Sequence, residues 1–181
     1  MESNLILSLG SAADVECDAV VNAANRYLMA GGGICGAIFK KAGVASLRAA
    51  CAEYKIPLDD GDAVITPAFN IKNAKYIIHA VGPDFGRNVN AFDKLRDAYY
   101  NSLKVLMENG LHSVSFPLIS SGIFGGELED AVGTSTKQCV LGYLRFVSEY
   151  PEYQVDVKLC AFSENEFFDA KRAFEKTLKE I

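Results

Sequence analysis

Two loops in this chain combine residue types suited to holding an anion. The first lies within "VVNAANRYLMAGGGICGAIFKKAG" (20–43), where Asn22 and Asn25 follow an apolar run and Gly31, Gly32 and Gly33 stand directly before a helical pattern. Glycine lets backbone amides approach a ligand with no Cβ between, and a helix N terminus adds unsatisfied N–H groups and partial positive charge. Such a loop can cradle phosphate without a lysine, although glycine here also suits a close-packed turn. The second, "PLISSGIFGG" (117–126), repeats the arrangement with two hydroxyls, a glycine, an aromatic and two more glycines ahead of a helix. Two such loops can clamp a diphosphate from both sides.

Other chemistries fit less well. No Gly-Lys-Ser/Thr follows the glycines, so this is not a Walker A loop. Gly31-x-Gly33-x-x-Gly36 has the Rossmann spacing, with Glu53 near the distance of a ribose-binding acid. That fingerprint needs its glycines immediately after the strand, however, and Ala23 to Ala30 intervene. His79 sits in an apolar run and reads as a core histidine, with only the distant His112 beside it, so neither a metal site nor a Ser-His-Asp arrangement is suggested. Five cysteines (Cys17, Cys35, Cys51, Cys139, Cys160) form an odd set without a Cys-x-x-Cys pair and read as free thiols. A net charge of -5 with no basic run longer than Lys40-Lys41 argues against duplex nucleic acid as the main partner. Apolar runs such as Ile77 to Val81 fall far short of the roughly 20 residues of a membrane span, and "MESN" lacks a secretory n-region, so the cytoplasm is the expected location.

The elements that must position these loops alternate along 181 residues, half of them apolar, enough for one domain spanning 1–181 with a single core. Short β-branched or apolar runs at 4–9, 18–22, 61–69, 75–83, 112–118 and 154–162 read as strands. Ile34, Ala37, Ile38 and Ala42 share a helical face that Gly43 closes. Phe92, Leu95, Tyr99, Leu103 and Leu106 mark a helix over 91–108, and another is expected within 127–149. Phe167, Ala170, Phe174, Leu178 and Ile181 stripe a last helix, which Ser163 and Glu166 are placed to open as a reciprocal capping box. This alternation predicts a three-layer α/β/α sandwich with a mixed, largely parallel central sheet and ligands at the carboxyl ends of the strands.

"VVNAAN", "GGGICGAIFKKAG", "IIHAVGP" and "PLISSGIFG", at these separations, resemble the macro domain, a module that binds ADP-ribose; the match runs over essentially the whole chain. The resemblance implies that Asn25 contacts the distal ribose and that Gly31, Gly32, Gly33 and Ile34 form the first phosphate loop. It implies a second phosphate loop from Ser120, Ser121, Gly122, Ile123, Phe124 and Gly125, with Phe124 against the distal ribose and Phe162 stacked on adenine. Ser11 and Ala12 fall at the adenine end. Asn22 counts among the ligand contacts by position, while its residue type suits an amide that ties loops together.

Two departures matter. Many members begin "GDIT", whose Asp receives the adenine amino group; here the corresponding residue is Ser11, an uncharged acceptor on a shorter arm, with Asp14 nearby as a substitute. Cys35 stands ten residues after Asn25, where MacroD-type hydrolases carry a catalytic Asp. A thiol cannot inherit a carboxylate's role as base, though a helix N terminus favours a thiolate nucleophile. Several viral macro domains have Cys or Ala there and still remove ADP-ribose, with the substrate's own phosphate activating the water. The resemblance therefore implies a monomeric hydrolase of mono-ADP-ribosylated proteins, modified on Asp or Glu, with Asn25 and Phe124 at the reacting ribose and no cofactor. A non-catalytic reader of ADP-ribose and a hydrolase of a small derivative such as O-acetyl-ADP-ribose are the alternatives. A chain without appended domains suits a reader less.

Overall fold

β-branched and apolar runs pair into one six-stranded sheet, and the amphipathic segments between them cover its two faces. The computed structural model describes residues 2–181. The strands are β1 (Asn4–Leu9), β2 (Ala19–Ala24), β3 (Ala63–Pro67), β4 (Tyr76–Val81), β5 (Ser113–Pro117) and β6 (Asp156–Ala161). The helices are α1 (Gly33–Ala42), α2 (Val44–Cys51), α3 (Phe92–Glu108), α4 (Ala131–Glu149) and α5 (Glu164–Lys179). The sheet order is β1-β6-β5-β2-β4-β3; every pairing is parallel but that of β3 with β4. This is the mixed three-layer architecture that the alternation of elements predicts.

Central strands buried on both faces carry continuous apolar runs, because successive side chains feed opposite layers. In β2, Val20 packs with Ile38, Phe39 and Leu47 of α1 and α2, while Val21 joins Leu95, Tyr99 and Leu103 of α3. In β4, Ile77 and Ile78 divide the same way. By this parity Asn22 and His79, direct partners in the β2–β4 register, both face the α1 layer.

β2 and β5 are neighbours and run parallel, with Ala19 opposite Val114 and Val20 opposite Ser115. Their carboxyl ends therefore release the two glycine loops side by side at one edge of the sheet, the usual ligand position in such folds. β4 lies on the other side of β2, and its exit residue Gly82 presses against the second loop: a Cβ there would collide with Ser120 Oγ and Ile119 Cγ2. Ser120 is itself held by a hydrogen bond from its hydroxyl to the Pro83 carbonyl (2.7 Å) and adopts a left-handed φ of 59°. "HAVGP" thus braces the second loop.

Three local expectations change. Gly43, with φ 105°, ends α1 through its N–H to the Phe39 carbonyl and also starts α2, since its own carbonyl accepts from Leu47 N. The second loop does not run straight into a helix; a short 3-10 turn (Ile123–Gly125) intervenes, and α4 begins only at Ala131, where the Asp130 side chain accepts from Gly133 N. At α5, Ser163 Oγ accepts from Glu166 N (3.2 Å), but the return contact comes from the Ser163 hydroxyl to Glu166 Oε1 (3.4 Å), so half of the reciprocal box forms.

Gly82→Ala is expected to cost about 1–3 kcal/mol, because the collision is with a packed serine and isoleucine rather than a mobile tip. Gly31→Ala, whose Cβ meets nothing within 4 Å, is expected to leave the urea midpoint nearly unchanged. Equal midpoints for the two variants would contradict the bracing role.

Candidate ligand-binding cleft

The first loop is arranged to expose backbone donors. Gly31, Gly32 and Gly33 are exposed, and Gly32 is the N-cap of α1 with no side-chain cap. The opening N–H groups of a helix have no partner within it, so in this exposed, uncapped start they are left to an outside acceptor. Gly33 has φ 56°, a left-handed value that favours glycine, and Gly32 has open space where a side chain would be. Gly36, not singled out as a contact, allows the loop to fold back on the helix: a Cβ there would lie 2.5 Å from the Gly31 carbonyl oxygen. Its signal was the Gly-x-x-Gly spacing. Ile34, in the first turn, is half-buried.

Asn25 organises the approach to these glycines. Its Oδ1 accepts from Tyr27 N and Met29 N (3.1 Å each), and its Nδ2 donates to the Met29 carbonyl (3.0 Å). One Nδ2 hydrogen remains. Cys35, 6 % exposed, turns beneath the same loop, where its thiol donates to the Met29 carbonyl (3.6 Å) and accepts from Asn22 Nδ2 (3.7 Å). The thiol supports the loop from below instead of opening into the cleft as a nucleophile would need to.

Asn22 differs from its expected place among the ligand contacts. It is 1 % exposed, with its Nδ2 against His79 Nδ1 (3.1 Å) as well as Cys35, so it ties β2 to β4 and α1 and offers no surface to a ligand. His79 is completely buried, and its other nitrogen meets Thr66 Oγ1 (3.0 Å). Burial pushes its pKa down to about 4 and keeps the ring neutral.

In the second loop both serine hydroxyls point away from a ligand, a second difference from expectation. Ser121 Oγ donates to the Leu118 carbonyl (2.7 Å), as Ser120 does to Pro83. What the loop exposes is Gly122 and the side chain of Ile123, 94 % exposed, beside half-buried Phe124. Gly125 is buried against Ala131, and Phe124 is anchored through its carbonyl, which accepts from Phe85 N (2.8 Å).

At the far end β1 and β6 pair in parallel up to Leu9 and Ala161, which sets Ser11 and Phe162 at neighbouring strand ends. Phe162 is 74 % exposed, not core. Ser11 Oγ caps a short turn by accepting from Ala13 N (3.2 Å), and Ala12 is buried with its carbonyl accepting from Ser115 Oγ (2.8 Å). Asp14 is held by Lys41 (2.9 Å) instead of replacing the missing acid at Ser11. The two glycine loops, the Ser11 turn and exposed Phe162 thus lie along one edge of the sheet, at the carboxyl ends of its parallel strands, which delimits the candidate cleft. Among the described residues, no group of three or more His, Cys, Asp or Glu is placed to hold a metal ion.

Comparison with known proteins agrees with this geometry. A family model described as "Macro domain" matches residues 21–134. A macro domain-containing protein of Caldanaerobacter subterraneus is 38 % identical over 181 residues, covering 97 % of this chain and 98 % of that one. An O-acetyl-ADP-ribose deacetylase of Citrobacter koseri is 42 % identical over 129 residues, 69 % of this chain and 72 % of the relative. The solved Oceanobacillus iheyensis macrodomain with ADP superimposes with a TM-score of 0.87 at 28 % identity, covering 99 % and 94 % of the two chains.

The buried histidine predicts a pH signature. Its folded pKa near 4 lies below the ordinary value near 6.5, so the unfolded chain binds its proton first; stability is full above pH 6.5 and falls as pH drops toward 4. Between pH 7 and 5 the loss is on the order of 2 kcal/mol from this group. Urea denaturation at the two pH values checks it, and His79→Gln is expected to flatten that part of the profile.

Proposed function

Because this chain belongs to the macro domain family, we propose that it binds ADP-ribose across the cleft and hydrolyses the bond joining ADP-ribose to a modified Asp or Glu side chain of a protein. The observation that carries this reading is the uncapped glycine start of α1 beside the exposed second loop, an arrangement that offers backbone donors to a diphosphate from two sides. Charge-assisted hydrogen bonds of about 1.5–3 kcal/mol each hold the phosphates without a basic side chain.

In this reading adenine lies toward Ser11 and Phe162, and the distal ribose lies between Asn25 and Phe124. The remaining Nδ2 hydrogen of Asn25 is the donor available to a ribose hydroxyl. Cys35 offers no carboxylate, so the attacking water sits between diphosphate and ribose and passes its proton to a substrate phosphate oxygen. The protein contributes position and electrostatic stabilisation.

A second reading, cleavage of an acyl ester on the same ribose, is favoured by the name of the Citrobacter koseri relative, O-acetyl-ADP-ribose deacetylase. Both readings use one cleft. They differ in what is attached to the ribose.

The test is release of ADP-ribose from a protein mono-ADP-ribosylated on acidic residues, with O-acetyl-ADP-ribose as the parallel substrate. Wild type is expected to release it, Cys35→Ala to retain release, and Asn25→Ala to lose about 100-fold through misplacement of the ribose. Gly32→Glu, whose side chain has open space in the cleft, is expected to fold normally and bind no ADP-ribose. Turnover of the acetyl ester alone would establish the second reading, and full release by Gly32→Glu would contradict the assigned cleft.

A further inference from the structure

Behind the first loop lies a cavity of about 380 Å³ that the cleft itself does not use. Tyr27 and Met29 wall it from the loop, Arg48, Cys51 and Ala52 from the end of α2, and Tyr54 from the segment beyond. Tyr27, Met29 and the adjoining Ile56 are 53 %, 63 % and 48 % exposed, three large apolar side chains turned outward around one concavity.

The loop is built to hold them there. Leu28 adopts a left-handed φ of 53° and is buried, pinning the loop while its two neighbours face outward. Asn25 fixes both neighbours, through its hydrogen bonds to the backbone of Tyr27 and Met29. The side chain proposed to touch the distal ribose therefore also sets the wall of the cavity, through direct hydrogen bonds to the two residues that line it.

Size and charge identify the occupant. An acetyl group needs roughly the space of two or three waters at about 30 Å³ each, a small part of this volume. Arg48 is exposed at the end of α2 and makes no ion pair among the described residues, whereas Arg26 on the loop is engaged with the Leu58 carbonyl and Asp59. Cys51 forms an apolar floor, its thiol pushed up to about 11, first by burial and then by Cys35. Apolar walls with one free cation fit an apolar residue next to an acidic one in a polypeptide.

We propose that this cavity is the acceptor subsite, holding the polypeptide that flanks the modified residue, with an apolar side chain against Tyr27, Met29 and Ile56 and a carboxylate at Arg48. It rests on the reading that ADP-ribose occupies the adjoining cleft. The subsite makes a modified protein a better ligand than a small ADP-ribose ester.

The test is calorimetric binding of free ADP-ribose and of a peptide carrying ADP-ribose on a glutamate through a hydrolysis-resistant linkage, with leucine and aspartate as neighbours. Wild type is expected to bind the conjugate about tenfold more tightly, the gain from burying one apolar side chain. Ala52→Trp, which fills the cavity, and Arg48→Glu, which reverses its charge, are each expected to remove that advantage while leaving ADP-ribose affinity unchanged. Equal affinities in wild type, or an advantage that survives both substitutions, would overturn the subsite. Failure of wild type to bind ADP-ribose would overturn the cleft reading and the subsite with it.

Discussion

The backbone amides at the start of α1 have no side chain to satisfy them. A helix that begins this way carries the energetic need for a partner into the finished fold. α4 and α5 meet the same need internally, with Asp130 and Ser163 as caps. α2 and α3 also start without a side-chain cap, at Gly43 and Ala91, but α1 is the helix preceded by exposed glycines and set beside the second loop, so its opening amides are the ones placed for an anion. Main-chain dipoles give an acidic protein, of net charge -5, a way to attract an anion locally without a basic side chain.

Everything around that helix start serves to keep it open and aimed. The parallel pairing of β2 and β5 delivers the second loop beside the first, and Gly82 allows β4 to press against Ser120 so that the second loop is held in place. Under the first loop, Asn22, His79 and Cys35 form a buried polar layer with Asn22 at its centre: its Nδ2 reaches both His79 and Cys35, while its Oδ1 is buried without a hydrogen-bond partner. A neutral histidine suits this position because a charged one would have no solvent or carboxylate to stabilise it. The cost is a fold that weakens in mild acid. Cys35 therefore belongs to the support of the site, which agrees with a mechanism in which the substrate's phosphate, not a protein carboxylate, takes the proton.

Most of the scaffold was legible in the residues. Period-two and continuous apolar runs located all six strands, and the three glycines before Ile34 marked the start of α1, because these signals are local. The features that local patterns do not encode depend on contacts beyond the segment itself. α2 is hidden because Gly43 reads as a stop, although Val44, Leu47 and Cys51 carry a helical spacing beyond it. The second loop looked like a copy of the first, but Asp130 delays its helix by capping at Ala131. By residue type Ser120 and Ser121 suit phosphate donors, and only the packed structure shows their hydroxyls committed to the carbonyls of Pro83 and Leu118. The strand order, with β1 at an edge beside β6, follows from long-range pairing that no local pattern encodes.

The central claim is that two backbone loops jointly hold the diphosphate, and the most direct measurement is a ¹H–¹⁵N NMR titration of the protein with ADP-ribose. The account predicts that the amides of Gly32 to Cys35 and of Gly122 to Phe124 shift together, with a single dissociation constant, and that ADP reproduces the pattern. Shifts confined to one loop, or centred on surface lysines with the α1 amides unmoved, would contradict it.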